Sequence, residues 1–217
     1  MAALALLSGG LDSTVAVVLH TADGGEVALG LFVDYGQRAA GPERSAAMAV
    51  ARALDFELLC TELPLLGQIT RTALVDLSCD LPHPDPEHLD DEAAANADAV
   101  WVPNRNGLLV NLAAAVAEAR GLDAVVVGFN AEEAASFPDN GPRFVASLNA
   151  ALADSTRGAV RVVAPTLELT KAELLARGLQ LGAPVHLAWS CYGAGPEPCG
   201  RCESCCRRQR AEAALRP

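Results

Sequence analysis

The chain has 217 residues, of which 51% are hydrophobic, and its formal net charge is −11. This length and apolar content suit one globular core with a small appendage and exclude wholesale disorder. The acidic balance argues against nucleic acid as a partner, and no apolar run approaches the roughly 20 residues that span a membrane, so we expect neither partner.

The first predicted element is a strand over residues 3–7, and a helix is predicted over residues 13–21. No basic region precedes the apolar start, so we expect a strand rather than a signal peptide and a cytoplasmic location. The heptapeptide between the apolar start and the helix reads Ser8-Gly9-Gly10-Leu11-Asp12-Ser13-Thr14.

This heptapeptide is typical of an anion-binding turn between a strand and a helix. Two glycines let the backbone approach a ligand closely, and the amides of the first helical turn favour negative charge. The Asp12 carboxylate suits Mg²⁺ beside phosphates. The pattern resembles the PP-loop of the ATP pyrophosphatases, which cleave ATP between the α- and β-phosphates; the alternative is a capped glycine-rich turn without a ligand. Residues 8–14 are named the PP-loop segment below.

Strand and helix signals alternate along the rest of the chain, which predicts an α/β fold with a mostly parallel, Rossmann-like sheet covered on both faces. Further strands are predicted over residues 27–33, 57–60, 124–127 and 160–163. Further helices are predicted over residues 42–54, 108–120, 142–155 and 171–181. Gly121 and Gly182 follow two of these helices as C-caps, and Thr170 and Glu173 have the spacing of a capping box.

The longest stretch without a predicted element lies between Pro64 and Trp101. It contains several prolines and a run of acidic residues from Asp85 to Glu92. Loops of this length inside a compact domain are usually functional or disordered. We therefore predict a mobile lid or a disordered insert.

Polar residues follow the second predicted strand, at the sheet edge where open α/β sheets bind ligands. We predict that Asp34, Tyr35 and Gln37 bind substrate; a polar loop with a core tyrosine is the alternative. Arg105 precedes a long apolar helix, where a cation is electrostatically misplaced unless it meets an anion, and we predict contact with a substrate carboxylate or a phosphate. Lys171, the only lysine, is either an exposed residue of a capped first turn or a partner of pyrophosphate.

Five of the seven cysteines lie near the carboxyl end of the sequence, at Cys191, Cys199, Cys202, Cys205 and Cys206. Four thiolates around a tetrahedral ion are the usual ligands of structural zinc, and the regular spacing assigns the first four of these residues to Zn²⁺. In a cytosolic protein such a cluster favours metal over disulfides. An iron–sulfur cluster and redox-active thiols are the alternatives. Cys60 and Cys79 are expected to be buried, inert thiols.

Several blocks of the sequence together resemble the 7-cyano-7-deazaguanine (preQ0) synthase family, which belongs to the PP-loop ATP pyrophosphatases. The blocks occur in the family's order and cover nearly the whole chain. They are the PP-loop segment, residues 32–38, residues 65–69, residues 102–106, and residues 189–192 with the C-terminal cysteines.

The resemblance implies an ATP-dependent carbon–nitrogen ligase of queuosine and deazapurine biosynthesis. Its substrates would be 7-carboxy-7-deazaguanine and ammonia, its product 7-cyano-7-deazaguanine, and its intermediates an adenylated acid and an adenylated amide. ATP, Mg²⁺ and Zn²⁺ are the implied cofactors. The implied fold is an adenine nucleotide α-hydrolase-like domain over residues 1–188 with a zinc-binding segment over residues 189–217, in a homodimer. Asp12, Arg105 and Lys171 would be catalytic, and the PP-loop segment would bind ATP.

The sequence departs from the family pattern at residue 104 and at several positions within residues 128–141. Asn104 replaces a glycine, and Glu133, predicted to bind substrate, replaces an aspartate; Ala135 replaces a serine, and Asn140-Gly141 replaces Cys-Arg. We expect these positions to line the deazapurine pocket. Two other functions therefore stay open: an enzyme that activates the same acid but forms an amide or conjugates it to another amine, such as a protein partner, and a non-catalytic nucleotide-binding scaffold.

Overall fold

The computed structural model describes residues 1–91 and 93–216, and within that part of the chain five strands form one parallel sheet. The order across the sheet is β3-β2-β1-β4-β5. The strands are β1 (Ala2–Leu6), β2 (Glu26–Asp34), β3 (Glu57–Glu62), β4 (Ala124–Val126) and β5 (Arg161–Val163). The predicted α/β fold with a parallel sheet is confirmed, and each predicted strand is present within two residues at either end.

The helices are α1 (Leu11–Ala22), α2 (Ala40–Ala53), α3 (Leu65–Ile69), α4 (Ala93–Val100), α5 (Arg105–Ala119), α6 (Ala131–Ala134), α7 (Pro142–Ser155), α8 (Lys171–Gln180) and α9 (Glu203–Ala214). Among the described residues, no helix is long and apolar enough to cross a bilayer. All five predicted helices are present. Helix α5 begins three residues earlier than predicted, so Arg105 lies in its first turn rather than before it.

The sheet is covered on both faces because successive side chains of its strands point to opposite sides. On one face, Leu4 and Val125 pack against α5 and α7. On the other face, Ala5 and Phe32 pack against α1 and α2. A further cluster that includes Leu174 packs α8 and α9 on the outer side of α1. The loops at the carboxyl ends of the strands are thereby brought to one edge of a three-layer fold.

The strand order reverses between β1 and β4, which places the PP-loop segment beside the end of β4. Gly128 follows β4, and a Cβ atom on it would lie only 2.5 Å from the backbone nitrogen of Ser13. Glycine therefore permits the close approach of β4 to the start of α1. Open α/β sheets bind their ligands at such a reversal point.

The stretch between Pro64 and Trp101 is not a loop throughout, because α3 and α4 lie at its two ends, whereas residues 70–91 between them form neither helix nor strand. The lid or insert stays a prediction. Leu66, Leu74 and Val100 are buried there against Tyr35, in a small apolar cluster of their own. This cluster packs both ends of the stretch against the loop after β2. Glu92, the last residue of the predicted acidic run, lies outside the described residues.

Other local predictions have mixed outcomes. The capping box of Thr170 and Glu173 at the start of α8 is confirmed, and Gly121 and Gly182 have the positive φ values expected after a helix. The expectation of two buried, inert thiols is wrong: Cys60 is exposed and Cys79 is only half-buried. Cys60 lies on β3, an edge strand, which packs less completely than the central strands.

Substitution of Gly9 tests the packing of the PP-loop segment on α2. Gly9 has a φ of +79°, and a Cβ there would overlap the carbonyl oxygen of Glu43 and lie 2.8 Å from the nitrogen of Ala47. We expect Gly9→Ala to lower the free energy of unfolding by roughly 3 kcal/mol, measured by urea denaturation. Gly24→Ala is the matched control, because Gly24 has a φ of +83° but no atom near its Cβ position. This control should cost only about 1 kcal/mol, and equal losses would contradict the packing argument.

Candidate active site

A cavity of about 210 Å³ opens where the strand order reverses. Its apolar walls come from the ends of the strands and include Leu7, Val33 and Phe129. Its polar lining consists of Ser8, Asp12, Ser13, Tyr35, Gln37, Glu43, Arg105, Asn106, Glu133 and Asn140. The fold thus brings residues from five separate parts of the sequence to one cavity, as expected for a small-molecule site.

The PP-loop segment forms a tight turn before α1. Gly10 is the N-cap; its amide donates to Ser8 Oγ at 3.2 Å, and its carbonyl accepts from Thr14 Oγ1 at 2.8 Å. Ser8 Oγ and Ser13 Oγ lie 3.1 Å apart at the cavity wall. Leu11 and Thr14 are buried, and the Thr14 amide already donates to the Gly10 carbonyl at 3.1 Å. The first-turn amides have no acceptors within the helix and are available to an anion.

Lys171 lies between two carboxylates that are distant in the sequence. Its Nζ donates to Asp12 Oδ2 at 2.7 Å and to Glu133 Oε1 at 2.8 Å. The lysine is only 4% exposed, which excludes the alternative of an exposed residue in a capped turn. The three residues, named the Lys171 triad below, join the first turns of α1, α6 and α8.

Burial and charge act in opposite directions on the Lys171 triad. Burial raises the pKa of Asp12 to about 6, and the nearby Lys171 charge only partly offsets that rise. Burial disfavours ionisation of Glu133 and is the largest single effect on it, but the Lys171 charge, the hydrogen bonds from Lys171 and Asn130, and the Arg105 charge together hold the pKa of this carboxyl below its usual value. Burial opposes the charge on Lys171 as well, yet its two carboxylate partners raise its pKa. The triad therefore contains a charged lysine and one carboxyl group that titrates near neutrality.

Asp12 has a free ligand atom that fits a divalent cation. Its Oδ2 is bound to Lys171, while its Oδ1 is buried and has no hydrogen-bond partner among the described residues. Mg²⁺ is commonly held by one or two carboxylates together with substrate phosphates. The unpartnered oxygen beside the first-turn amides of α1 suits that arrangement.

Arg105 is a cation without a carboxylate partner at the cavity. Its Nη1 donates to Tyr35 Oη at 3.2 Å, and its Nε donates to Asn106 Oδ1 at 3.2 Å. Among the described residues, no carboxylate oxygen lies within 4.0 Å of its guanidinium. Burial raises the pKa of Tyr35, so the Arg105 contact is with a neutral phenol. An anionic ligand group would provide the missing countercharge.

The loop after β2 is organised around Gln37. Its Oε1 accepts the Tyr35 amide at 2.8 Å, and its Nε2 donates to Glu43 Oε2 at 2.9 Å. Asp34, also predicted to bind substrate, instead pairs with Arg44 at 3.1 Å and lies outside the cavity lining. Glu43 was missed by the sequence analysis because an acidic residue in a first helical turn usually faces solvent. In the local sequence, only its position six residues after Gln37 connects Glu43 with the residues predicted to bind substrate.

The four cysteines assigned to a metal lie together at Cys191, Cys199, Cys202 and Cys205, named the cysteine cluster below. Their Sγ atoms all lie within 4.8 Å of one another, and two backbone amides donate to Cys191 Sγ at 3.2 and 3.3 Å. A tetrahedral ion with Zn–S bonds of about 2.3 Å would separate the sulfurs by about 3.8 Å. The cluster therefore fits a single metal ion, and Cys206 lies outside it as predicted.

The segment that carries the cysteine cluster packs on the cavity. The Trp189 amide donates to the Gly9 carbonyl at 2.9 Å, which fixes the segment against the PP-loop segment. Tyr192 lies beside Arg105 and Glu43 in a smaller adjoining pocket, and burial raises its pKa well above the usual value. The local sequence around Tyr192 gives no sign that this loop folds back onto the cavity, so its place there could not be predicted.

Comparisons with known proteins give a consistent result. The family model for queuosine biosynthesis protein QueC matches residues 2–215. The 7-cyano-7-deazaguanine synthase of Pelotomaculum thermopropionicum is 50% identical over 97% of this chain and 96% of its own length. The enzyme of the same name from Desulforudis audaxviator is 49% identical over 98% of this chain and 96% of its own length. An NMN synthetase structure from Francisella tularensis has a TM-score of 0.50 at 18% identity, over 91% of this chain and 68% of its own, and is similar in fold alone.

Removal of one cluster thiol tests the metal assignment. We expect Cys199→Ser to lose most of the bound metal and to lower the free energy of unfolding by several kcal/mol, since structural metal binding contributes directly to folding. Metal content is measured by elemental mass spectrometry and stability by thermal unfolding. Cys206→Ser is the matched control and should keep its metal, because Cys206 lies outside the cluster. Full metal content in the Cys199→Ser variant would contradict the assignment.

Proposed function

The chain belongs to the QueC family of queuosine biosynthesis proteins, and we propose that it acts as an ATP-dependent carbon–nitrogen ligase. Its function is that of its full-length relatives, 7-cyano-7-deazaguanine synthesis. The proposed substrates are 7-carboxy-7-deazaguanine, ammonia and two molecules of ATP. The observation that carries the ATP-dependent part is the Lys171 triad beside the first-turn amides of α1.

The proposed reaction has two activations of the same carbon. The substrate carboxylate attacks the α-phosphorus of ATP and displaces pyrophosphate, and ammonia then displaces AMP to give the amide. The amide oxygen attacks a second ATP in the same way, pyrophosphate leaves, and loss of AMP and protons gives the nitrile. AMP is a far better leaving group than oxide or hydroxide, so the work of the protein is positioning and charge neutralisation.

The PP-loop segment and the Lys171 triad supply the groups that pyrophosphate departure requires. Ser8, Ser13 and the first-turn amides of α1 would hold phosphate oxygens, and Gly9 and Gly10 would admit them to the backbone. The Lys171 ammonium would neutralise charge on the departing pyrophosphate. Mg²⁺ bound at Asp12 Oδ1 would supply further neutralisation of phosphate charge.

Substrate recognition is assigned to the residues around Arg105. Its guanidinium lacks a carboxylate partner and would bind the carboxylate of the deazapurine or an α-phosphate oxygen. Tyr35 and Gln37 line the cavity beside it, and Glu133 contributes both to the lining and to the position of Lys171. Asp34 would act in substrate binding only through the loop after β2, because its carboxylate is paired with Arg44.

The remaining parts of the proposal concern the surroundings of the site. Zn²⁺ in the cysteine cluster would have a structural role, because all four thiolates are used and none is left for a substrate. We propose a cytoplasmic homodimer that acts on small molecules and not on nucleic acid. The net charge of −11 supports the last point, since phosphate binding along a nucleic acid needs cationic surface.

Product analysis by mass spectrometry tests the reaction. The protein is incubated with ATP, Mg²⁺, ammonia and 7-carboxy-7-deazaguanine, and we expect the nitrile, with two AMP formed per nitrile. The amide as final product, or an adenylate that waits for another amine, would favour the conjugating alternative. The observation that favours this alternative is Asn140, which lines the cavity at a position where the family usually has cysteine. Absence of any AMP formation would favour the non-catalytic scaffold.

Asp12 provides a pH-dependent prediction. Its folded-state pKa of about 6 lies above the usual 3.8, so Asp12 is largely protonated below pH 6 and then loses its affinity for a cation. We expect kcat/KM for ATP to fall about tenfold per pH unit below pH 6, because this parameter follows ionisation of the free enzyme.

Asp12→Asn should keep the fold but abolish pyrophosphate release. Activity in this variant above about 1% of wild type would remove Asp12 from the phosphate chemistry.

A further inference from the structure

Glu132, the neighbour of Glu133, connects Lys171 to α9, the helix that contains Cys205 of the cysteine cluster. Its Oε2 accepts the backbone amide of Lys171 at 3.2 Å. Its Oε1 accepts from Arg207 Nη1 at 2.8 Å and from Arg210 Nη2 at 2.6 Å. Both oxygens of one carboxylate are therefore used, one toward α8 and the other toward α9.

Arg207 is held on several sides and is only 5% exposed. In addition to Glu132, it contacts Glu203 Oε1 at 2.9 Å and Asp90 Oδ1 at 3.2 Å. Glu203 is 1% exposed and lies on the same helix, one turn earlier. A buried guanidinium with three carboxylate partners has little freedom to move, since every displacement leaves a buried charge unpaired.

Arg207 lies on the same helix as Cys205 of the cysteine cluster. Cys202 is the N-cap of α9, and Cys205 lies in the first turn of that helix, two residues before Arg207. An ion held by these thiolates would fix this turn. A continuous set of contacts thus leads from the cysteine cluster through Arg207 and Glu132 to the backbone of Lys171.

We propose that Glu132 and Arg207 are positioning residues for Lys171. Neither residue lines the cavity; they fix the start of α8 so that the Lys171 ammonium stays between Asp12 and Glu133. This inference rests on the proposed role of Lys171 in pyrophosphate departure. Misplacement of a catalytic group by about 1 Å can cost on the order of 100-fold in rate, so a carboxylate outside the cavity can control the chemistry.

A purely structural role makes different predictions. If Glu132 only joined α6, α8 and α9, its loss would lower thermal stability and leave turnover per folded molecule unchanged. If it positions Lys171, its loss lowers kcat while the KM values for ATP and the acid stay nearly constant. This difference arises because Lys171 is proposed to act on charge that develops only in the transition state.

The kinetic experiment compares three variants. We expect Glu132→Ala to lower kcat roughly 10- to 100-fold with KM within about twofold of wild type. Glu132→Gln keeps an acceptor for the Lys171 amide and should recover part of this loss. Arg208→Met is the matched control: Arg208 lies next to Arg207 but bonds Glu212 and the carbonyls of Val185 and Ala188. It should lower the melting temperature without changing kcat.

A second readout is chemical labelling of Lys171, which does not require turnover. Labelling at a lysine side chain reports on this residue alone, because Lys171 is the only lysine in the chain. Reaction of the folded protein with an amine-acylating reagent can be followed by mass spectrometry of the peptide that contains Lys171. The buried, ion-paired amine should react slowly in wild type and roughly tenfold faster in Glu132→Ala, since loss of one charge-assisted hydrogen bond increases local opening. Arg208→Met should label at the wild-type rate.

The two readouts separate failure of this inference from failure of the proposed function. No turnover in wild type, with faster labelling in Glu132→Ala, would reject the reaction but support the positioning of Lys171. Unchanged kcat and unchanged labelling in folded Glu132→Ala would overturn the inference. Arg207→Lys should reproduce the Glu132→Ala result in weaker form, since lysine cannot bridge Glu203 and Glu132 as a planar guanidinium does.

Discussion

The buried ion pairs of Lys171 are the interaction on which the site depends. A lysine with 4% exposure is tolerated because Asp12 and Glu133 both lie within hydrogen-bond distance of its ammonium. Such pairs add little net stability, because desolvation offsets most of the attraction, but breaking one is costly. The triad therefore fixes geometry more than it stabilises the fold. It keeps the first turns of α1, α6 and α8 together at the reversal point of the sheet.

This constraint also explains the charges around the cavity. Among the described residues, Asp12 has a carboxylate oxygen without a hydrogen-bond partner, which suits a cation, and Arg105 has no ion-paired carboxylate, which suits an anionic ligand group. A nucleotide with its metal and an acidic substrate would satisfy both at once. Glu132 contacts both the Lys171 amide and Arg207 of α9. The helix that contains Cys205 of the cysteine cluster is therefore linked to the site through protein contacts rather than through a ligand.

Much of the architecture could be predicted from local sequence. Buried parallel strands give apolar runs that are easy to locate, and the capping box at Thr170 marks the start of α8. The errors share one cause. Helix α3 and the burial of Leu66 depend on contact with Tyr35, and the exposure of Cys60 depends on its place at the sheet edge. None of these is encoded within a window of neighbouring residues.

The sequence by itself determined the chemistry that each segment offers: an anion-binding turn in the PP-loop segment, thiolates at metal-ligand spacing, and a single lysine in a capped helix. Only the tertiary structure decided how these segments combine. It buried Lys171 between Asp12 and Glu133, turned Asp34 away toward Arg44, and added residues such as Glu43 to the cavity. The reason is physical: the charge partners of a buried side chain are set by which strand ends become neighbours, and a parallel sheet brings together residues more than a hundred positions apart.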